Sequence, residues 1–424
     1  MKIQTEAVTL PKADLQLSAL KKAFSSLRHA VRFVVTASGA RECSCELDCM
    51  ADMGRYRWPN ASIFDYELRR FENTDHFNAV LIVPTGIAAQ IGGHCGDASA
   101  VARLLASACD TLITHPNVVN TADMNEMTEN TLYVEGSILT RLMMGTIGLQ
   151  KVRSNRVLIL MDKHPHKAFN DAAVNVVSTA RVCLGIDCDV LQMAGATTFK
   201  AGYSNAGRAS GEIAQAEALF DIVAAQRHKY DAIGLTTRIE LPLDMELDSY
   251  KNPDAVNPWG GIEAMLTHSL SCAFEVPCAH SPMALTLDGT NRLFETLGVV
   301  DPRKAADAIS RTYLYSIVKG LHKAPRIVRG GGLTVEDVSC LVIPDGCIGL
   351  PTLAALEQGV PVIAVRENRN VMRNRLEELP FKPGKLFIVD NYLEAVGAMT
   401  ALRAGVTPAA VRRPLSGTKL KKHP

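Results

Sequence analysis

The feature that most constrains this chain is a series of short runs that are apolar from end to end. They include "AVLIVP" (79–84), "TLITHP" (111–116), "NRVLILMD" (155–162), "DCDVLQM" (187–193) and "YDAIGLTT" (230–237). "VSCLVIP" (338–344), "VPVIAV" (360–365) and "KLFIVD" (385–390) continue the series. A strand with one wet face must alternate apolar with polar residues, and these do not. They read as strands covered on both faces. Helical patterns such as "DASAVARLLASACD" (97–110) and "DAAVNVVSTARVCLG" (171–185) lie between them. Repeated strand–helix–strand order implies a layered α/β fold with a mostly parallel sheet.

Two crossovers echo each other. "LIVPTGIAAQIGGHCGDASAVARLL" (81–105) and "LVIPDGCIGLPTLAAL" (341–356) both run strand, proline, glycine loop, helix. They are either opposite walls of a cleft between two lobes or ordinary βα units. Residues 1–75 differ, with a basic amphipathic helix predicted near 13–31, a strand "RFVVTA" (32–37) and a cysteine cluster. They read as an N-terminal addition to an α/β region over 76–424.

A length of 424 residues allows two domains, or one large domain with additions. The formal net charge is +1, which argues against nucleic acid or an anionic membrane as partner. The basic tail at 419–424 reads as a solvated end. No apolar run reaches the eighteen or so residues of a membrane helix, and residues 1–24 lack the apolar stretch of a secretory signal. Eleven scattered cysteines, an odd number, read as reduced thiols, so the expected location is cytoplasmic.

Loops that leave a strand and enter a helix present free backbone N–H groups to an anion. Four such loops occur, at 84–99, 203–220, 256–268 and 344–359. They point to a small anionic substrate. Neither a GxxxxGK[ST] loop nor a GxGxxG with a downstream acidic residue is present, so no nucleotide cofactor is predicted. "THPNVVN" (114–120) places His115, Asn117 and Asn120 beyond the end of a strand, where open parallel sheets bind ligands. His268, His280, Glu263 and Glu367 stand in comparable turns or helix starts. Histidine beside carboxylate suits acid–base work near neutral pH.

Thiols and metals offer sharper readings. "CSCELDC" spaces Cys43, Cys45 and Cys49 as zinc or iron–sulfur ligands would be, though a fourth ligand is missing nearby. His164 and His166 form a weaker pair. Cys95 and Cys347 sit in the echoing loops, as the two thiols of a cofactor-independent racemase sit on two lobes. The plain alternative is that these are small apolar residues.

Together these stretches resemble a bacterial family of unknown function. The resemblance rests on "VPTGIAAQIGGHCGDA", "HPNVVN", "VEGS", "AGRASGE", "VNPWGGIEAMLTH", "PCAHSP", "GLHKAP", "IAVREN" and "NYLEAVG", in that order over about 78–400. It implies no particular reaction. Cys95 and the Cys43–Cys49 cluster fall outside the shared pattern.

The expected function is an acid–base enzyme of isomerase or lyase type. His115, His268, His280, Glu263, Asp97 and Glu367 are its candidate catalytic groups. Gly86, Gly92, Gly93, Gly96, Asn117, Asn120, Arg208, Ser210, Gly211, Gly261 and Asn368 are its candidate substrate-binding residues. One alternative is a hydrolase or lyase holding a divalent metal on the three histidines. Others are a nucleotide-sugar transferase or epimerase, suggested by residues 345–368, and a non-catalytic metabolite sensor. A homodimer is the base expectation for a soluble enzyme.

Overall fold

The computed structural model describes all residues except 26–28, 52–61, 122, 195–196, 253, 287–297, 310–312, 416, 419 and 421–424. The basic tail therefore lies, but for Leu420, outside the described residues.

Every apolar run named above forms a strand, and the strands divide between two parallel sheets. The larger has the order Leu386–Val389, Val362–Val365, Val338–Pro344, Asn78–Leu81, Thr111–Thr114, Thr131–Tyr133. All five of its pairings are parallel. The smaller orders Cys188–Gln192, Val157–Met161, Ala232–Arg238 and Cys278–Met283, again all parallel. Val157–Met161 and Val362–Val365 are buried at every position, as runs without alternation require.

A third, antiparallel sheet is less visible in the sequence. Its order is Thr198–Tyr203, Ala209–Ala214, Lys2–Pro11, Glu42–Met50, Ala30–Ser38 and Ile348–Gly349. The N-terminal strands thus share one sheet with residues more than 150 positions away. The helix expected near 13–31 is only Leu17–Ala23, because the chain is already extended from Ala30 onward.

The two echoing crossovers do not face each other across a cleft. Their strands are neighbours in the larger sheet, with Val80 beside Leu341 and Leu81 beside Val342. They are ordinary βα units, side by side.

The strand Glu42–Met50 explains the cysteine cluster. Side chains alternate across a strand, so Cys43, Cys45, Leu47 and Cys49 share one face. All four are buried in the main apolar core. Burial pushes the Cys45 and Cys49 thiols up to about 12, away from the thiolate a metal needs. Among the described residues no group of three His, Cys, Asp or Glu side chains is placed to hold a metal ion. No helix among them is long and apolar enough to cross a membrane.

The other face of that strand carries Glu46 and Asp48. Asp48 lies 2.5 Å from Arg32 Nε and 3.2 Å from Arg208 Nη2, and Glu46 lies 2.7 Å from Arg208 Nε. Thr5 Oγ1 donates to Asp48 at 2.6 Å and pairs with Ser210 Oγ at 2.5 Å. This polar cluster ties the antiparallel sheet together.

Candidate functional site

A cavity of about 510 Å³ opens where the carboxyl ends of strands from both parallel sheets meet the first half of the helix Trp259–Phe274. His115 follows the strand Thr111–Thr114, and Glu135 follows Thr131–Tyr133. His280 lies on Cys278–Met283. Thr237, its partner, lies on Ala232–Arg238. Glu263 and His268 come from the helix itself. His115, Glu135, Glu263, His268 and His280 all line this one cavity.

Glu135 is the residue around which half of the site is built. It caps the helix Gly136–Met143, its Oε2 accepting from Ser137 N at 2.9 Å and Ile138 N at 3.2 Å. Its Oε1 lies 2.5 Å from His268 Nδ1. Burial alone would raise its pKa. The charge that His268 carries when protonated and the donors from Ser137 outweigh that and hold it at about 2. Glu135 is therefore a fixed buried anion, and it orients the ring of His268. His268 Nδ1 faces this carboxylate as an ion-pair contact, without the alignment of a hydrogen bond, which leaves Nε2 as its working nitrogen.

The second pair is arranged the other way round. His280 Nδ1 lies 2.9 Å from Glu263 Oε1, and His280 Nε2 lies 2.8 Å from Thr237 Oγ1. Both ring nitrogens are thus engaged. The His280 side chain is 1 % exposed, whereas that of Glu263 is 26 % exposed. The group that reaches the open cavity is the Glu263 carboxylate, and His280 positions it.

His115 is different again. Its Nε2 accepts the Val83 N–H at 3.1 Å, which fixes the neutral tautomer with the proton on Nδ1. Burial, reinforced by nearby His268, lowers its pKa to about 4. At neutral pH it is an uncharged N–H donor.

Of the other expected residues, two asparagines line the cavity as pegs. Asn117 Nδ2 donates to Val83 O and Gly92 O, and Asn120 Nδ2 donates to Tyr133 Oη. Cys95 also lines it, its thiol donating to Asn120 O at 3.1 Å.

The rest are placed elsewhere. Asp97 accepts from Gly92 N at 2.8 Å and braces the glycine loop, with burial raising its pKa to about 6. Glu367 is exposed at the end of Val362–Val365. Asn368 is buried, its amide spanning Ile91 N, Ile91 O and Tyr392 Oη. Arg208, expected to hold substrate oxygens, is committed to Glu46 and Asp48. Ser210 is committed to Thr5.

The glycines are set by packing rather than by an anion. None of Gly86, Gly92, Gly93, Gly96, Gly211 and Gly261 lines the cavity. A Cβ on Gly86 would meet Ala209 Cβ at 2.6 Å, and one on Gly96 would meet the Thr121 side chain. Gly211 and Gly261 let the helix Trp259–Phe274 lie directly on the strand Ala209–Ala214.

Three site residues lie outside the expected catalytic and binding groups. Glu135 belongs to the shared family pattern as part of "VEGS". Asp307, fully buried in the cavity wall, accepts weakly from Cys95 N at 3.4 Å, and burial raises its pKa to about 7. Nothing in the local sequence marks it. Gly136 packs against the ring of His268.

A family model described as "Protein of unknown function (DUF3326)" matches residues 78–412. An uncharacterized lipoprotein of Synechococcus sp. is 33 % identical over 347 residues, covering 78 % of this chain and 92 % of the relative. No solved structure matches. That relative's description as a lipoprotein overturns the expectation of a cytoplasmic location. The chain belongs to the DUF3326 family.

Proposed function

We propose that this member of the DUF3326 family is an acid–base enzyme of isomerase or lyase type, acting on a small metabolite that carries a carbonyl or carboxylate. The observation that carries this reading is the convergence of two histidine–carboxylate pairs and one neutral imidazole on a single cavity.

His268 Nε2 removes a proton from the carbon next to the substrate carbonyl, and buried Glu135 stabilises the imidazolium that forms. The electron pair of the broken C–H bond moves onto the carbonyl oxygen. His115 Nδ1–H donates to that oxygen as its charge develops, a role open to an imidazole that stays neutral. The Glu263 carboxyl, once it has taken up a proton, returns it to the substrate. Delivered to carbon it gives an isomer; delivered to a departing β-oxygen it gives an elimination. In reverse, the two carriers exchange roles.

The mixed α/β architecture suits this reading, since the cavity draws on both parallel sheets. The relative's description as a lipoprotein supports a lipid-attached form of this chain, which detergent partitioning would test.

The test is incubation of the protein with a bacterial metabolite extract in D2O, followed by mass spectrometry. The expected result is a metabolite that gains one deuterium, or is replaced by an isomer or a dehydrated product, with wild type but not with His268→Gln. Identical extracts after wild type and His268→Gln would sink the proposal.

A further inference from the structure

A second cavity of about 150 Å³ lies behind the first. The two share Thr85, His115, Gly136, Ala264 and His268 in their linings. His268 and His115 therefore stand between a larger outer cavity and a smaller inner one. Nothing in the proton-transfer scheme uses the inner space.

Its walls are mainly apolar. Phe33, Ile87, Leu139, Ile343, Leu350 and Met372 supply carbon from the antiparallel sheet, the larger parallel sheet, two helices and two loops. Three of the four hydroxyls among its lining residues, all but that of Thr85, are turned to partners inside the protein. Ser137 donates to Glu135, Thr140 to Gly136 O, and Thr352 to Cys347 O.

Arg32 and Arg208 also line it, and they are the obvious argument for an anion. Each has one buried terminal nitrogen, Arg32 Nη2 and Arg208 Nη1, without an acceptor. Their charges, however, are already balanced one for one by Asp48 and Glu46. An added anion would give the cluster a net negative charge in an apolar setting, where an unbalanced charge is costly. Burying carbon there costs nothing of the kind and gains the usual hydrophobic stabilisation. An apolar space of this volume accepts a benzene-sized guest.

We propose that the inner cavity is the subsite for an uncharged apolar arm of the substrate, a ring or short branched chain of about benzene size. This rests on the acid–base reading, because that reading places the reacting carbon beside His268 Nε2. The chemical class follows: a substrate with a polar reacting end in the outer cavity and a hydrocarbon group beyond the histidines.

Benzene is the probe, titrated into full-length protein carrying 13C-labelled histidine and followed by NMR. Saturable shifts in the millimolar range at His115 and His268, with His280 unmoved, are expected, since His280 lines the outer cavity alone. Filling the inner cavity with Cys347→Met or Ile343→Phe should weaken this binding at least tenfold, and an unshifted His280 signal certifies that each variant is folded. Shifts confined to His280, no saturable shift at all, or saturable shifts with inorganic phosphate in place of benzene would each overturn the inference. Benzene binding together with unchanged metabolite extracts would instead retain the subsite and remove the acid–base reading.

Discussion

Gly136 lies so close to the imidazole of His268 that a Cβ at residue 136 would meet the ring Cε1 at 2.7 Å and Nε2 at 3.1 Å. The glycine follows Glu135, so one dipeptide supplies both the anion that orients the ring and the gap that admits it. Gly136→Ala should push His268 off Glu135 while leaving the helix start intact. Misplacement by a fraction of an ångström is expected to lower turnover by up to about a hundredfold. A shifted His268 NMR signal with an unchanged melting temperature would confirm the cause.

The Glu263–His280 pair predicts an ordering of variants. Glu263→Gln removes the proton carrier and should lower turnover by about 10²-fold or more. His280→Gln, which only positions it, should cost roughly tenfold. Thr237→Val, one bond further out, should cost less still. A larger loss in His280→Gln than in Glu263→Gln would assign the carrier role to the histidine.

Arg208 is predicted to matter for stability and not for turnover. Arg208→Met would leave Glu46 without its cation in a buried setting, and such losses cost about 3–5 kcal/mol. Chemical denaturation should show a loss of this order, while the folded fraction retains near wild-type turnover. Selective loss of turnover in a stable variant would return Arg208 to the substrate.

Asp307 has a carboxyl whose pKa is raised by burial from 3.8 to about 7. The folded state therefore holds its proton over a range where the unfolded chain has released it. Its contribution to stability is complete below pH 3.8 and is lost as the pH rises through about 7. Asp307→Asn should escape that loss. Its stability relative to wild type is expected to improve between pH 5 and pH 8 by on the order of a few kcal/mol. Parallel stability–pH curves for the two proteins would contradict the assignment.

The sequence by itself determined the parallel strands, because runs such as "VLILM" and "VIAV" can be covered on both faces only inside an α/β fold. It also marked His115, just beyond such a strand, and Glu263 and His268, on the helix that follows a glycine turn, whereas His280, read as a turn residue, stands within the strand Cys278–Met283. Three matters were decided only in the tertiary structure. The antiparallel sheet joins Lys2–Pro11 to Ala209–Ala214, and no local pattern encodes a pairing over 200 residues. Arg208 reads as an exposed cation after a glycine turn until Glu46 and Asp48 arrive from the N-terminal strands to neutralise it. The roles within the histidine pairs depend on which ring nitrogen is occupied. Thr237 closes the second nitrogen of His280, whereas Glu135 leaves Nε2 of His268 to the cavity. Distances across the fold set that difference, and residue types along the chain do not.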